Sequence, residues 1–101
     1  MFKLTSVQVR SYEFENPDDG SVLHIFPPKL ETMEIFSKVF SDTNAAPKDL
    51  AGIVGAVISN NEEKMRVTAK HIMRWMNTDQ LAAFVDDFLG WVNGTKASNP
   101  N

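Results

Sequence analysis

The stretch Thr78 to Gly94, TDQLAAFVDDFLGWVNG, constrains the fold more than any other part of this chain. At about 100° per residue, Leu81, Phe84, Val85, Phe88, Leu89 and Val92 fall on one side of a helix. Trp91 sits at the edge of that stripe and widens it, while Asp79, Asp86, Asp87 and Asn93 fall opposite. Thr78 suits an N-cap and Gly94 the residue just past a helix end. Burying such side chains contributes roughly 1.5–3 kcal/mol each, so this helix is the expected hydrophobic anchor. An arc this wide meets more than one neighbour.

A chain of 101 residues holds one core with little to spare. A hydrophobic content of 43% with 23% charged residues is that of a globular protein. The net charge of -3 argues against a general nucleic-acid binder, which needs a concentrated basic surface. Without cysteine there is no disulfide framework and no thiolate chemistry, which fits a reducing cytoplasm. MFKLTSVQVR lacks the apolar segment of a signal peptide, and no run approaches the roughly 20 apolar residues of a membrane span. A soluble, cytoplasmic protein is expected.

Phe2 to Phe14 alternates with period two, Val7 and Val9 on one face and Tyr12 and Phe14 on the other, and reads as a strand. Asn16-Pro17-Asp18-Asp19-Gly20 is turn chemistry, and Ser21 to Phe26 reads as a second strand. The expected hairpin over 2–26 is marginal alone, so it must lie on helices or gain a strand from another chain along its exposed edge. Pro27-Pro28 leads into a helix from about Lys29 to Ser41. Leu30, Met33, Phe36 and Phe40 form its core stripe, whereas Ile35 and Val39 point the other way. Such a helix is either sandwiched within its own chain or offers a self-association surface.

Pro47 opens a helix with Leu50, Ile53, Val54, Val57 and Ile58 on one face and Ala51, Gly52, Gly55 and Ala56 on its flank. Gly52-x-x-Gly55 lacks the spacing of a phosphate loop and reads as a helix-packing feature. Asn60-Asn61 ends that helix, Asn61 capping a Glu-rich turn. A short helix of about Ala69 to Met76 follows, capped by Thr68, with Ala69, Ile72, Met73 and Met76 inward and Lys70, His71 and Arg74 outward. The fold expected is mainly α (α+β): an N-terminal β-hairpin packed on about four helices, one domain over 1–94, with a disordered tail at 95–101.

Catalytic chemistry is not indicated. His24 and His71 have no carboxylate at a metal-site spacing, Asp18-Asp19 is turn chemistry, and Asp86-Asp87 lies on the solvated side of a helix. No serine sits in a nucleophile elbow. We expect no catalytic, metal or cofactor site. Segment 61–77 is +2, with Lys64, Arg66, Lys70 and Arg74 against Glu62 and Glu63. It reads as a solvated face or as a patch that steers an acidic partner. Trp75 falls outside its helix's inward stripe, as a cover for the core or an interface anchor. Met33, Met65, Met73 and Met76 suit either adaptable core or a surface that grips varied segments.

Ile25-Phe26-Pro27-Pro28-Lys29-Leu30, Lys64-x-x-Val67-Thr68 followed by Asn77-Thr78-Asp79-Gln80-Leu81, and Phe84-x-x-x-Phe88-x-x-Trp91-Val92 with Asn99-Pro100-Asn101 set an order of pieces. That order resembles the tail assembly chaperones of long-tailed bacteriophages and prophages of Gram-positive hosts. The resemblance covers most of 22–101, and the basic residues Arg66, Lys70 and Arg74 depart from it. It implies a non-enzymatic, mostly helical protein of the host cytoplasm, not expected in the mature virion. Its implied partners are the tape measure protein and the tail tube protein, with self-association in some members. The contact residues this suggests are Ile35, Val39, Trp75 and Trp91. Two other readings stand beside it: a small helix-turn-helix DNA-binding regulator using the helices around 47–58 and 69–76, and a prophage interaction protein of the immunity or antitoxin type. About ten residues between those helices, instead of a 3–4-residue turn, weigh against the regulator.

Overall fold

The computed structural model describes residues 1–94. A single 3-10 turn at Leu4–Ser6 precedes strands β1 (Tyr12–Glu15) and β2 (Val22–Ile25). Helices α1 (Leu30–Ser41), α2 (Pro47–Ser59), α3 (Ala69–Trp75) and α4 (Thr78–Val92) complete the expected hairpin-plus-helices arrangement. The expected tail at 95–101 lies outside the described residues.

β1 and β2 pair antiparallel, with Tyr12 opposite Ile25 and Phe14 opposite Leu23 on the inward face. The strands are shorter than their alternation suggests. The register that sets Tyr12 against Ile25 sets Arg10 against Pro27 and Val9 against Pro28. Proline has no N–H to donate, so the ladder stops at Tyr12. Residues 1–9 therefore form an arm, not a strand, and Phe2, Leu4, Val7 and Val9 are exposed. Arg10 is where the arm rejoins the body. Its guanidinium donates to the carbonyls of Trp91 (2.8 Å) and Val92 (2.9 Å) and lies 4.2 Å from the Trp91 ring centroid. It thus caps α4 with a cation.

β2 is covered along its other edge. Asn61 bridges to Ile25, the Phe26 N–H donates to the Asn60 carbonyl, and the Glu62 N–H donates to the His24 carbonyl. Buried Asn61 organises the turn that follows α2, donating to the carbonyls of Ile58 and Met65 and accepting from the Met65 N–H.

α2 is the central helix, with Ala51, Ile53, Val54, Gly55, Val57 and Ile58 buried. A Cβ on Gly55 would lie 2.7 Å from the Val67 carbonyl oxygen, so the chain entering α3 crosses there. Gly52 has nothing within 4 Å of such a Cβ, and only one glycine of the pair is a packing feature.

α4 buries Phe84, Phe88 and Trp91, and Tyr12 meets all three rings edge-on. Asn77, not Thr78, is the N-cap. Its side chain accepts from the Gln80 N–H while Gln80 accepts from the Asn77 N–H, a reciprocal capping box. Gly94 takes the expected left-handed conformation at φ 74°.

Two inward assignments change. Leu30, the first residue of α1, is exposed because side chains there tilt back past the helix end, where nothing packs. Met73 is exposed beside buried Ile72.

Candidate functional site

The four proposed contact residues separate into different environments. Trp91 is 1% exposed, sealed by Phe88, Tyr12 and Arg10, and offers no contact surface in this conformation. It falls in the buried row with Phe84 and Phe88, so the stripe it was thought to edge has its centre on the aromatics. Trp75 is half-buried between Phe14 and His71, and its indole N–H donates to Asp18 at 3.1 Å. It covers the core. Val39 is half-buried against the core, and Ile35 remains open at 52% exposure.

A second apolar surface lies away from these four residues. A depression of about 190 Å³ lies between α2, α3 and α4. Ala51 and Ile72 form its buried floor, and Leu50, Met73, Met76 and Leu81 its walls. It arises because α3 is barely two turns long and Met73 turns away from the core, leaving its thioether on the rim. Unbranched, polarizable methionine side chains repack around different apolar shapes. The sequence cue is the pair Met73 and Met76, which helical spacing sets inward and whose chemistry suits either core or a gripping surface.

The basic face expected from Lys70, His71 and Arg74 is divided. His71 takes the third position of α3's capping box, its Nδ1 accepting from the Thr68 N–H while Thr68 Oγ1 accepts from the His71 N–H. Arg74 is bound to Asp18 at 2.6 Å. The Arg74 hydrogen bond and that of Trp75 hold the Asp18 carboxyl below the usual carboxylate range.

A polar cluster does form on the outer face of the hairpin. His24 Nδ1 is 2.5 Å from Glu63, its Nε2 is 3.7 Å from Glu13, and the His24 N–H donates to Glu63 at 2.8 Å. Ligand-type atoms of His24, Glu62 and Glu63 lie within 4.8 Å of one another. Sequence spacing sets no carboxylate at a metal-site distance from His24, because these groups meet only when the turn after α2 docks on β2. The hydrogen bond to Glu63 raises the His24 pKa, with Glu62 and Glu13 adding to it. The His24 backbone N–H, then its ring, lowers that of Glu63. The cluster is an open surface ion pair that ties the turn to the sheet. Tyr12 likewise links sheet to helix, its hydroxyl donating to Asp87 at 2.7 Å; burial, then that bond, pushes its pKa up.

No helix among the described residues is long and apolar enough to cross a membrane. The chain matches no family model, no curated protein and no solved structure.

Proposed function

We propose that this chain is a non-enzymatic binding protein that shelters an apolar helical segment of another polypeptide, acting as a phage tail assembly chaperone. The observation that carries the binding role is the methionine-walled depression between α2, α3 and α4, an apolar surface left open where three helices meet. An amphipathic helix laid there would set its apolar face on Leu50, Met73, Met76 and Leu81. The open side chain of Ile35 on α1 is a second contact of the same kind. The resemblance in sequence supplies the partner: the tape measure protein, whose long apolar helices would be kept soluble until tail tube subunits assemble around them. The acidic net charge of -3 keeps such a carrier itself dispersed. DNA binding is less well supported, since Arg74 and His71 are both engaged within the chain.

The test is co-expression with a tape measure protein, reading the fraction of that protein in the supernatant. The expected result is a soluble complex that Met73→Asp disrupts while circular dichroism shows an intact fold. A tape measure protein that stays insoluble beside the native chain overturns the reading.

A further inference from the structure

Past the turn at Leu4–Ser6, residues 7–11 of the arm segment and the free edge of β1 form one continuous feature, distinct from the depression that carries the function proposed above. Among the described residues, no backbone hydrogen bond reaches residues 8–11 or the outer edge of β1. β2, in contrast, is bonded along both sides. The arm is in phase with β1: Arg10 reaches the face of Tyr12 and Phe14, and Val7 and Val9 share parity with outward-facing Glu13 and Glu15. A strand edge with exposed alternating valines is a template for another strand.

We propose that a second copy of this chain occupies that edge, the two arms and β1 strands pairing antiparallel about a twofold axis. The two hairpins then form one continuous sheet. Charge selects this occupant and this direction. Arg10 and Asp18 are engaged within the chain; of the other charges, Lys3 stands on the arm, and Glu13, Glu15 and Asp19 on β1 and the turn that follows it. Antiparallel self-pairing lays the basic half of each copy along the acidic half of the other, and parallel pairing stacks like on like. The same contact brings the exposed Val7 and Val9 of both copies together beside the axis. The chain's own segment 95–101, TKASNPN, carries no large apolar side chain.

Sedimentation equilibrium of the full chain, with hydrogen exchange followed residue by residue, tests this. The expected result is a dimer whose amides at 8–15 become protected as concentration rises. Val7→Lys with Val9→Lys, at two exposed positions outside the core, weakens it at least about tenfold. At low salt Lys3→Glu and Glu15→Lys each weaken association, and an equal mixture of the two regains it, because both ends are then complementary. A monomer at every concentration overturns the proposal. So does a dimer with unprotected arm amides, protection that is independent of concentration, or a charge-swapped mixture no tighter than its parts.

Discussion

The N-terminal arm and α4 carry the same kind of side chain and meet opposite fates. Phe84, Phe88 and Trp91 of α4 are buried, because β1 delivers Tyr12 and Phe14 onto them and Arg10 closes the end. Phe2, Leu4, Val7 and Val9 of the arm are exposed, although the arm runs directly into β1. A helix satisfies its own backbone and needs only a surface to lie on. A strand needs a neighbour with free N–H and C=O groups, and across from the arm that neighbour has become Pro27 and Pro28. Apolar content thus marks what a segment would bury, and the backbone partner decides whether it does.

The most severe way to break this contrast is truncation on either side of it. Phe88 is fully buried, within 5.6 Å of the ring centroids of Phe84, Trp91 and Tyr12. Phe88→Ala should cost about 3–5 kcal/mol in urea unfolding. Val9→Ala, measured on dilute protein, should stay within about 0.5 kcal/mol of the native chain. Equal losses at the two sites would mean that the arm packs on the body after all. A smaller effect of the same form separates the glycines of α2. Gly55→Ala drives a methyl against the backbone at Val67 and should cost roughly 1–3 kcal/mol. Gly52→Ala meets nothing and should gain roughly 0.5–1 kcal/mol, both read from thermal unfolding.

Helix existence was legible because 3.6-residue spacing and end chemistry agree locally: Thr68 caps α3, Pro47 opens α2 and Gly94 closes α4. What spacing could not separate is sides of equal greasiness. Met73 and Ile72 are adjacent and both apolar, and the choice of Ile72 for the core is made by where the chain entering α3 crosses α2 at Gly55. Helical spacing leaves Trp75 open as a cover for the core or an interface anchor and sets Trp91 at the edge of its stripe. Both are covers, one under Arg10 and one clasped by Asp18, from segments far away in sequence. The His24 cluster has the same origin: Glu63 reaches β2 only because Asn61 folds the turn back. The depression, the most informative part of the candidate site, is a product of this packing and has no motif of its own.

Arg10 joins the two regions, and removing it sharpens the comparison. Arg10→Ala deprives the last carbonyls of α4 of two donors and strips a cation from the Trp91 ring, for a loss of about 1 kcal/mol in urea unfolding. Arg10→Lys keeps the charge but not the fork that reaches two carbonyls, and should recover only part of it. If Arg10→Ala left stability unchanged, α4 would be capped from elsewhere and the arm would be free along its whole length.

The smallest effect concerns the two edges of the hairpin, one open and one tied down by the turn that carries Glu63. His24 is raised above its ordinary 6.5, so the pair's contribution is complete below that value and fades as pH climbs through the raised one. Glu63 is lowered below its ordinary 4.5, so its share is present above 4.5 and fades as pH falls through the lowered one. Between 4.5 and 6.5 both hold, and there His24→Gln should lower the urea midpoint modestly, as expected of an exposed pair. The two midpoints should converge once pH passes the raised His24 value, which an NMR titration of the ring locates independently. A gap that persists at high pH would assign the tie to the neutral ring's hydrogen bond to Glu63, not to charge. No gap at any pH would leave the closed edge of the sheet held, like the ladder itself, by main-chain donors, because the variant keeps the N–H at position 24 that donates to Glu63.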